Sequence, residues 1–312
     1  MSRRRGLESL GFFDRMLSLD DMTTAQEPVY YKLSGKIPLP VFLLGVLSIL
    51  LLVPLIGLIY GAAIHYCPLI YINFVSTLIC GFGIGALVGL LLKKGKLRNL
   101  KFGSVLLLVA GFVGVYACWV SKIFLLTGYE VVVLLPNQIL AMLGWMAEEG
   151  VWSIGSMTPT GLLLYVVWVI EAGAIIVIAF LTGRGILDEI FCEYCDRWVG
   201  REEIECRSLD FDGSSELEDF VEQVKRGGVL KLNELPPRSE GSDTFLQLET
   251  SGCNTCEALN FLSLYKVKIS YDKEGEQNVK SKSLIERMFL KPAEFEALRK
   301  VEAEDLSSEV KG

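Results

Sequence analysis

The residue spacing with the clearest chemistry is a pair of cysteine knuckles, Cys192-Glu-Tyr-Cys195 and Cys253-Asn-Thr-Cys256, with 57 residues between them. A two-residue gap lets both thiolates of a pair face one ion, and two pairs supply the four ligands of a closed tetrahedral zinc site. The chain holds eight Cys and a single His, His65, so centres built from several imidazoles are excluded. Zn2+ held by Cys192, Cys195, Cys253 and Cys256 is therefore the expected metal site, with Cys206 as a spare or substitute ligand. The competing chemistry is dithiol redox cycling by the same pairs. There is no G-x-S-x-G, Walker or H-E-x-x-H motif, which points away from hydrolase and ATPase chemistry and toward a non-enzymatic protein.

A second group capable of chemistry is Glu171, isolated in an apolar run over 161 to 183. A carboxyl group about ten residues from either end of such a run must face a bundle interior or water, and be paired or protonated. Its functional reading is a proton relay or cation site, and its structural reading is a hydrogen bond to a neighbouring helix, with Ser121 and Tyr116 as candidate partners. Lys122 lies near the end of another run, over 103 to 127, where its stem can snorkel. Glu148 and Glu149 form an adjacent acidic pair that either lines an outer vestibule for cations or is simply solvated.

These residues need elements to hold them, and composition says which. The chain has 312 residues, 51% hydrophobic and 21% charged, with a mean hydropathy of +0.42. From Ile37 to Leu92 there are 56 residues without one Asp, Glu, Lys or Arg. Crossing a hydrocarbon core of about 30 Å takes roughly 20 helical residues, so this stretch holds two spans, at about 40 to 64 and 69 to 92. Their turn falls at His65, Tyr66, Cys67 and Pro68, and Pro54 should kink the first. With the runs at 103 to 127 and 161 to 183, the expected fold is an α-helical membrane protein, a four-helix transmembrane bundle over 37 to 183. The segment 129 to 160 reads as an outer interfacial or partly re-entrant helix, opened by Pro136 and anchored by Trp145 and Trp152.

Gly81, Gly85 and Gly89 repeat every four residues, and Gly57 and Gly61 do so on span one. Such grooves let helix backbones approach closely. They serve either a homo-oligomeric interface or packing of spans one and two within a protomer.

Charge divides the chain. Residues 1 to 183 carry 12 Lys and Arg against 9 Asp and Glu, net +3, while residues 184 to 312 carry 18 against 28, net -10. Basic residues lie before span one and at Lys93 to Lys101, whereas 129 to 160 has none. The positive-inside rule then places both termini in the cytoplasm of a multi-pass protein of the cell inner (plasma) membrane. Residues 1 to 36 read as a cytosolic amphipathic segment, with Leu7, Leu10, Phe13 and Leu17 on one side.

The two knuckles resemble the zinc-ribbon family over roughly 191 to 272, although the 57-residue spacing exceeds that of a compact ribbon. The resemblance implies short antiparallel strands around one zinc, and nothing about activity. An inserted helix runs from Ser214 or Ser215 to about Lys225, ended by Gly227 and Gly228. Alternation at Tyr265, Val267, Ile269 and Tyr271 marks a strand, with a turn at Asp272 to Gly275, a second strand near 277 to 285, and a final helix opened by Lys291 and Pro292. The 184 to 312 segment is thus a cytosolic acidic α+β, zinc-ribbon-like domain. Its net charge of -10 disfavours nucleic acid, since phosphate binding needs basic groups. The lipid bilayer, further copies of the chain, and a protein on the cytosolic face or the domain's own basic loop are the expected partners. Two functions fit: a non-enzymatic, oligomeric membrane protein with a zinc module for assembly or interaction, or a proton or cation channel or transporter using Glu171.

Overall fold

The computed structural model describes residues 27–67, 70–151, 158–200, 203–209, 214–239, 241–256, 259–273 and 275–298. The N-terminal amphipathic stretch, Pro68 and Trp152 lie outside the described residues. Two compact units form, Lys32–Trp198 and Val199–Gly312 with Met1–Tyr31.

Four helices of the first unit are long and apolar enough to cross a membrane. They are α1 (Leu39–Tyr66), α2 (Ile70–Lys94), α3 (Leu100–Leu126) and α5 (Leu162–Leu187). A shorter helix, α4 (Pro136–Glu149), precedes the last, with Pro136 at its first turn. The ends fall within a few residues of those expected, because loss of charge and gain of hydropathy mark where a helix can be apolar all round. Pro54 cannot donate a backbone hydrogen bond, and α1 accommodates it with a π-helical segment at Ser48–Leu52 just before it. Asn99 caps α3 by accepting from the Phe102 N–H at 2.9 Å, as a short polar side chain at a helix start should.

The glycine faces are filled by helices of the same chain, paired differently from the expectation of spans one with two. An ideal Cβ on Gly85 would sit 2.4 Å from the Ala179 carbonyl oxygen, and one on Gly81 2.9 Å from that of Ile175, so α2 packs on α5. A Cβ on Gly57 would lie 2.4 Å from the Gly114 oxygen, and one on Gly61 2.6 Å from that of Cys118, so α1 packs on α3. Gly89 meets Gly183 in the same α2–α5 seam. Toward the basic-loop end Ile84, Val88, Leu92, Leu107, Ala179 and Leu187 are buried in an apolar core, beside which buried Ser48 donates to the Gly45 carbonyl at 2.8 Å. At the other end α4 contributes Ile139, Met146 and Ala147 to a cluster with Ile123, Leu164 and Trp168.

The first knuckle belongs to a two-stranded sheet of β1 (Ile190–Cys192) and β2 (Arg197–Val199). The second unit is a four-stranded antiparallel meander, β3 (Glu203–Ser208), β4 (Thr244–Gly252), β5 (Asn260–Tyr271) and β6 (Gln277–Leu290), in that order across the sheet. Between β3 and β4 comes α6 (Ser214–Lys225). Leu217, Val221 and Val224 make its apolar stripe and join Leu246, Leu248, Leu262, Leu264 and Ile285 in one core. Gly227, at φ +100, ends the helix in a conformation that favours glycine. The strand after the second knuckle begins earlier than expected and its partner runs on to Leu290. The expected Asp272 turn forms, with the Gly275 N–H donating to the Asp272 carbonyl at 3.2 Å. Residues 29–31 lie along β6, the Tyr31 N–H donating to the Arg287 carbonyl at 2.9 Å.

Because Gly85 touches backbone, Gly85→Val must force α2 and α5 apart and should cost about 1–3 kcal/mol or more of stability. Gly83 meets nothing within 4 Å, so Gly83→Ala should leave the unfolding midpoint unchanged or slightly raised. Thermal unfolding of the two variants in one detergent measures the contrast.

Candidate metal centre and polar helix cluster

Cys192 closes β1, and the chain turns through 193–196 into β2. The Cys195 N–H donates to Cys192 Sγ at 3.4 Å, the bond that a knuckle offers a sulfur carrying negative charge. Asp196 takes φ +52 to complete the turn; Asp is among the residues that tolerate this region. Cys253 follows β4, and its N–H donates to the Leu259 carbonyl at 3.0 Å. Cys192 and Cys253 are buried, at 1% and 3% exposure.

The sulfurs of Cys192, Cys195, Cys253 and Cys256 all lie within 4.8 Å of one another, a group that could hold a metal ion. A tetrahedral ion with metal–sulfur bonds of about 2.3 Å needs sulfur–sulfur edges of about 3.8 Å, so only a small contraction separates this arrangement from a closed site. Cys206 is not in the group. It sits on β3 opposite Gln247, where burial pushes its thiol up against the opposing pull of Arg238.

The first knuckle is seated in the basic loop. Glu193 accepts from Ser34 Oγ at 2.6 Å, Lys36 Nζ at 3.0 Å and Arg98 Nη1 at 2.5 Å. Glu189 accepts from Lys93 Nζ at 2.5 Å, Asp196 accepts from Lys96, and Trp198 Nε1 donates to the Lys93 carbonyl at 2.9 Å. Arg98 also lies over the Phe191 ring at 4.6 Å. Burial pushes the Glu193 carboxyl up, but the Ser34 and Lys36 hydrogen bonds and the Arg98 charge outweigh it and hold the group below the usual carboxylate range. Each exposed pair contributes little alone; together they fix the knuckle's orientation.

Among the helices, Glu171 finds neither Ser121 nor Tyr116. Ser121 donates to the Leu58 carbonyl and Tyr116 to that of Leu134. Instead Tyr60 Oη donates to Glu171 Oε1 at 2.5 Å and lies 2.7 Å from Thr77 Oγ1, which donates to the Asn73 carbonyl at 2.8 Å. Tyr60 and Thr77 went unmarked in the sequence, although a signal exists. They are equidistant from the turn between α1 and α2, so a tight hairpin brings them level.

Lys122 is covered by indole rings. It is 9% exposed, with Nζ 4.9 Å from the Trp119 ring centroid and 5.9 Å from that of Trp168. Glu148 and Glu149 end α4 exposed, with no ion pair among the described residues, and His65 packs edge-on against Tyr66.

Tyr60→Phe removes the hydroxyl shared by Glu171 and Thr77 and should cost about 1–3 kcal/mol. Adding Thr77→Val should cost less than the sum of the single losses, since the two groups belong to one network. A double-mutant cycle on unfolding in detergent reads both numbers.

Comparison with protein-family models, with curated proteins and with solved structures finds no match.

Proposed function

We propose that this chain is a non-enzymatic integral membrane protein of the cell inner (plasma) membrane, with four spans and cytoplasmic termini. A zinc centre at Cys192, Cys195, Cys253 and Cys256 fixes its zinc-ribbon-like C-terminal half as a module for assembly or partner interaction. The observation that carries this reading is the mutual approach of four knuckle sulfurs to within 4.8 Å. The donor set suits zinc: all sulfur, in two short-spaced pairs, each at the end of a strand. Four cysteines complete such a shell, which makes the site structural, since catalytic zinc keeps one position open for water or substrate. The ion would tie the two cysteine pairs to each other, so metal binding and folding of the module are coupled. The seating of the first knuckle in the basic loop supports an assembly role, because it commits Lys93, Lys96 and Arg98 of that loop to carboxylates of the protein itself.

Metal analysis of the purified full chain should find about one zinc per chain, and Cys192→Ser should lose it together with the sheet signal in circular dichroism. A metal-free protein whose cysteines cycle between thiol and disulfide would overturn the reading in favour of dithiol redox chemistry.

The second reading is a proton or cation channel or transporter using Glu171, favoured by the hydrogen-bonded set that Glu171 shares with Tyr60 and Thr77. Flux in liposomes carrying wild type or Glu171→Gln decides it. A flux abolished by the substitution supports conduction, and an unchanged flux removes it.

A further inference from the structure

A narrow cleft opens between α3 and α5, lined by Cys118, Trp119, Lys122, Trp168 and Glu171 among others, with a volume of about 10 Å³. Three observations on its walls belong together. Trp168 is 5% exposed, and its Nε1 is buried with no hydrogen-bond partner among the described residues. Lys122 is buried to 9% exposure and has no carboxylate within ion-pair reach among the described residues; two indole faces are its recorded company. Among the described residues Glu171 is hydrogen-bonded on one side only, to Tyr60.

An indole N–H and an ammonium left unsatisfied in an apolar helix bundle are each costly, and a cation–π contact offsets only part of the second cost. The cleft is too small for an amino acid, a sugar or a phosphate. Its volume matches one water molecule, which needs about 10–15 Å³ and two to four polar partners. We propose that this cleft is a hydration site. One water accepts from Trp168 Nε1–H and from Lys122 Nζ–H and donates to Glu171, with Cys118 Sγ as the remaining weak acceptor. The water joins Lys122 and Glu171 across a gap that they do not close directly. With Tyr60, Thr77 and Asn73 on the far side of Glu171, it extends one hydrogen-bonded layer through all four long helices. That layer stays at the end of the bundle away from the basic loop. Beyond it, Ile84, Val88 and Leu92 fill the core with apolar contact. The site therefore hydrates one level of the bundle and supplies no through path. It is independent of the metal centre and of the zinc reading.

Radiolytic hydroxyl labelling of the full chain in nanodiscs made with 18O-water, read by mass spectrometry, tests the proposal. Trp168 and Cys118 should carry 18O label several-fold above Met146, an easily oxidised side chain that is 0% exposed and does not line the cleft. Trp168→Phe keeps a ring of similar placement and removes the N–H, so label at Trp119 and Cys118 should fall severalfold, as it should in Lys122→Met combined with Glu171→Gln. Each variant is first required to unfold cooperatively. Label at Trp168 no higher than at Met146 in the wild type overturns the proposal. So does label that persists unchanged in both folded variants, since solvent would then enter without being held by these groups.

Discussion

Helix backbones in the first unit come into contact only where a side chain shrinks to a hydrogen, and the rest of that unit follows from this. Gly85 against Ala179 and Gly57 against Gly114 leave no room for a methyl group. The dispersion gained along such a seam depends on distance so steeply that the pairing is selective. Once α2 lies on α5 and α1 on α3, the level at which side chains meet is set. Tyr60, Thr77 and Glu171 arrive together because the seams hold them there, and not because any of them attracts the others over a long range. Polar groups then settle the protonic details within a geometry that apolar contacts decide.

At the basic-loop end of the unit, charge takes over from close packing. The knuckle turn presents Glu189, Glu193 and Asp196 to Lys93, Lys36, Arg98 and Lys96. Arg98 is the most buried of the cations, at 11% side-chain exposure. A planar guanidinium can bond a carboxylate through its edge while lying flat on the Phe191 ring, which a lysine cannot do as well. The orientation of two ligand sulfurs thus rests on ordinary ion pairs as well as on any metal.

Much of this was legible in the residues. Long uncharged runs give helix ends to within a few positions, because each charge excluded from an apolar environment is a sharp boundary. Two C-x2-C pairs with a single His in the chain leave little choice of ligand. The pairing of spans was not legible: a glycine stripe names a face and is silent about its partner, so nothing in 81, 85 and 89 distinguishes α1 from α5. The cover over Lys122 was not legible for a related reason. Its position near a helix end suits snorkelling, while the Trp168 indole that covers it comes from a distant helix. In the second unit β4 carries a period-two signal of its own, with Leu246 and Leu248 buried and Gln247 and Glu249 less so, but it is shorter than the alternation from Tyr265 to Tyr271 that marks β5.

The hairpin of β5 and β6 sets Lys266 opposite Lys282 and Lys268 opposite Lys280, on a domain whose total charge is strongly negative. Directly opposed like charges weaken a strand pair, whereas the knuckle and basic loop are drawn together by opposite ones. Mobile ions screen both kinds of interaction over a Debye length of about 8–10 Å at ordinary ionic strength. Raising the salt therefore relaxes the repulsion across the hairpin and loosens the attraction that seats the knuckle. The two regions have opposite ionic-strength responses, and no single buffer condition is optimal for both.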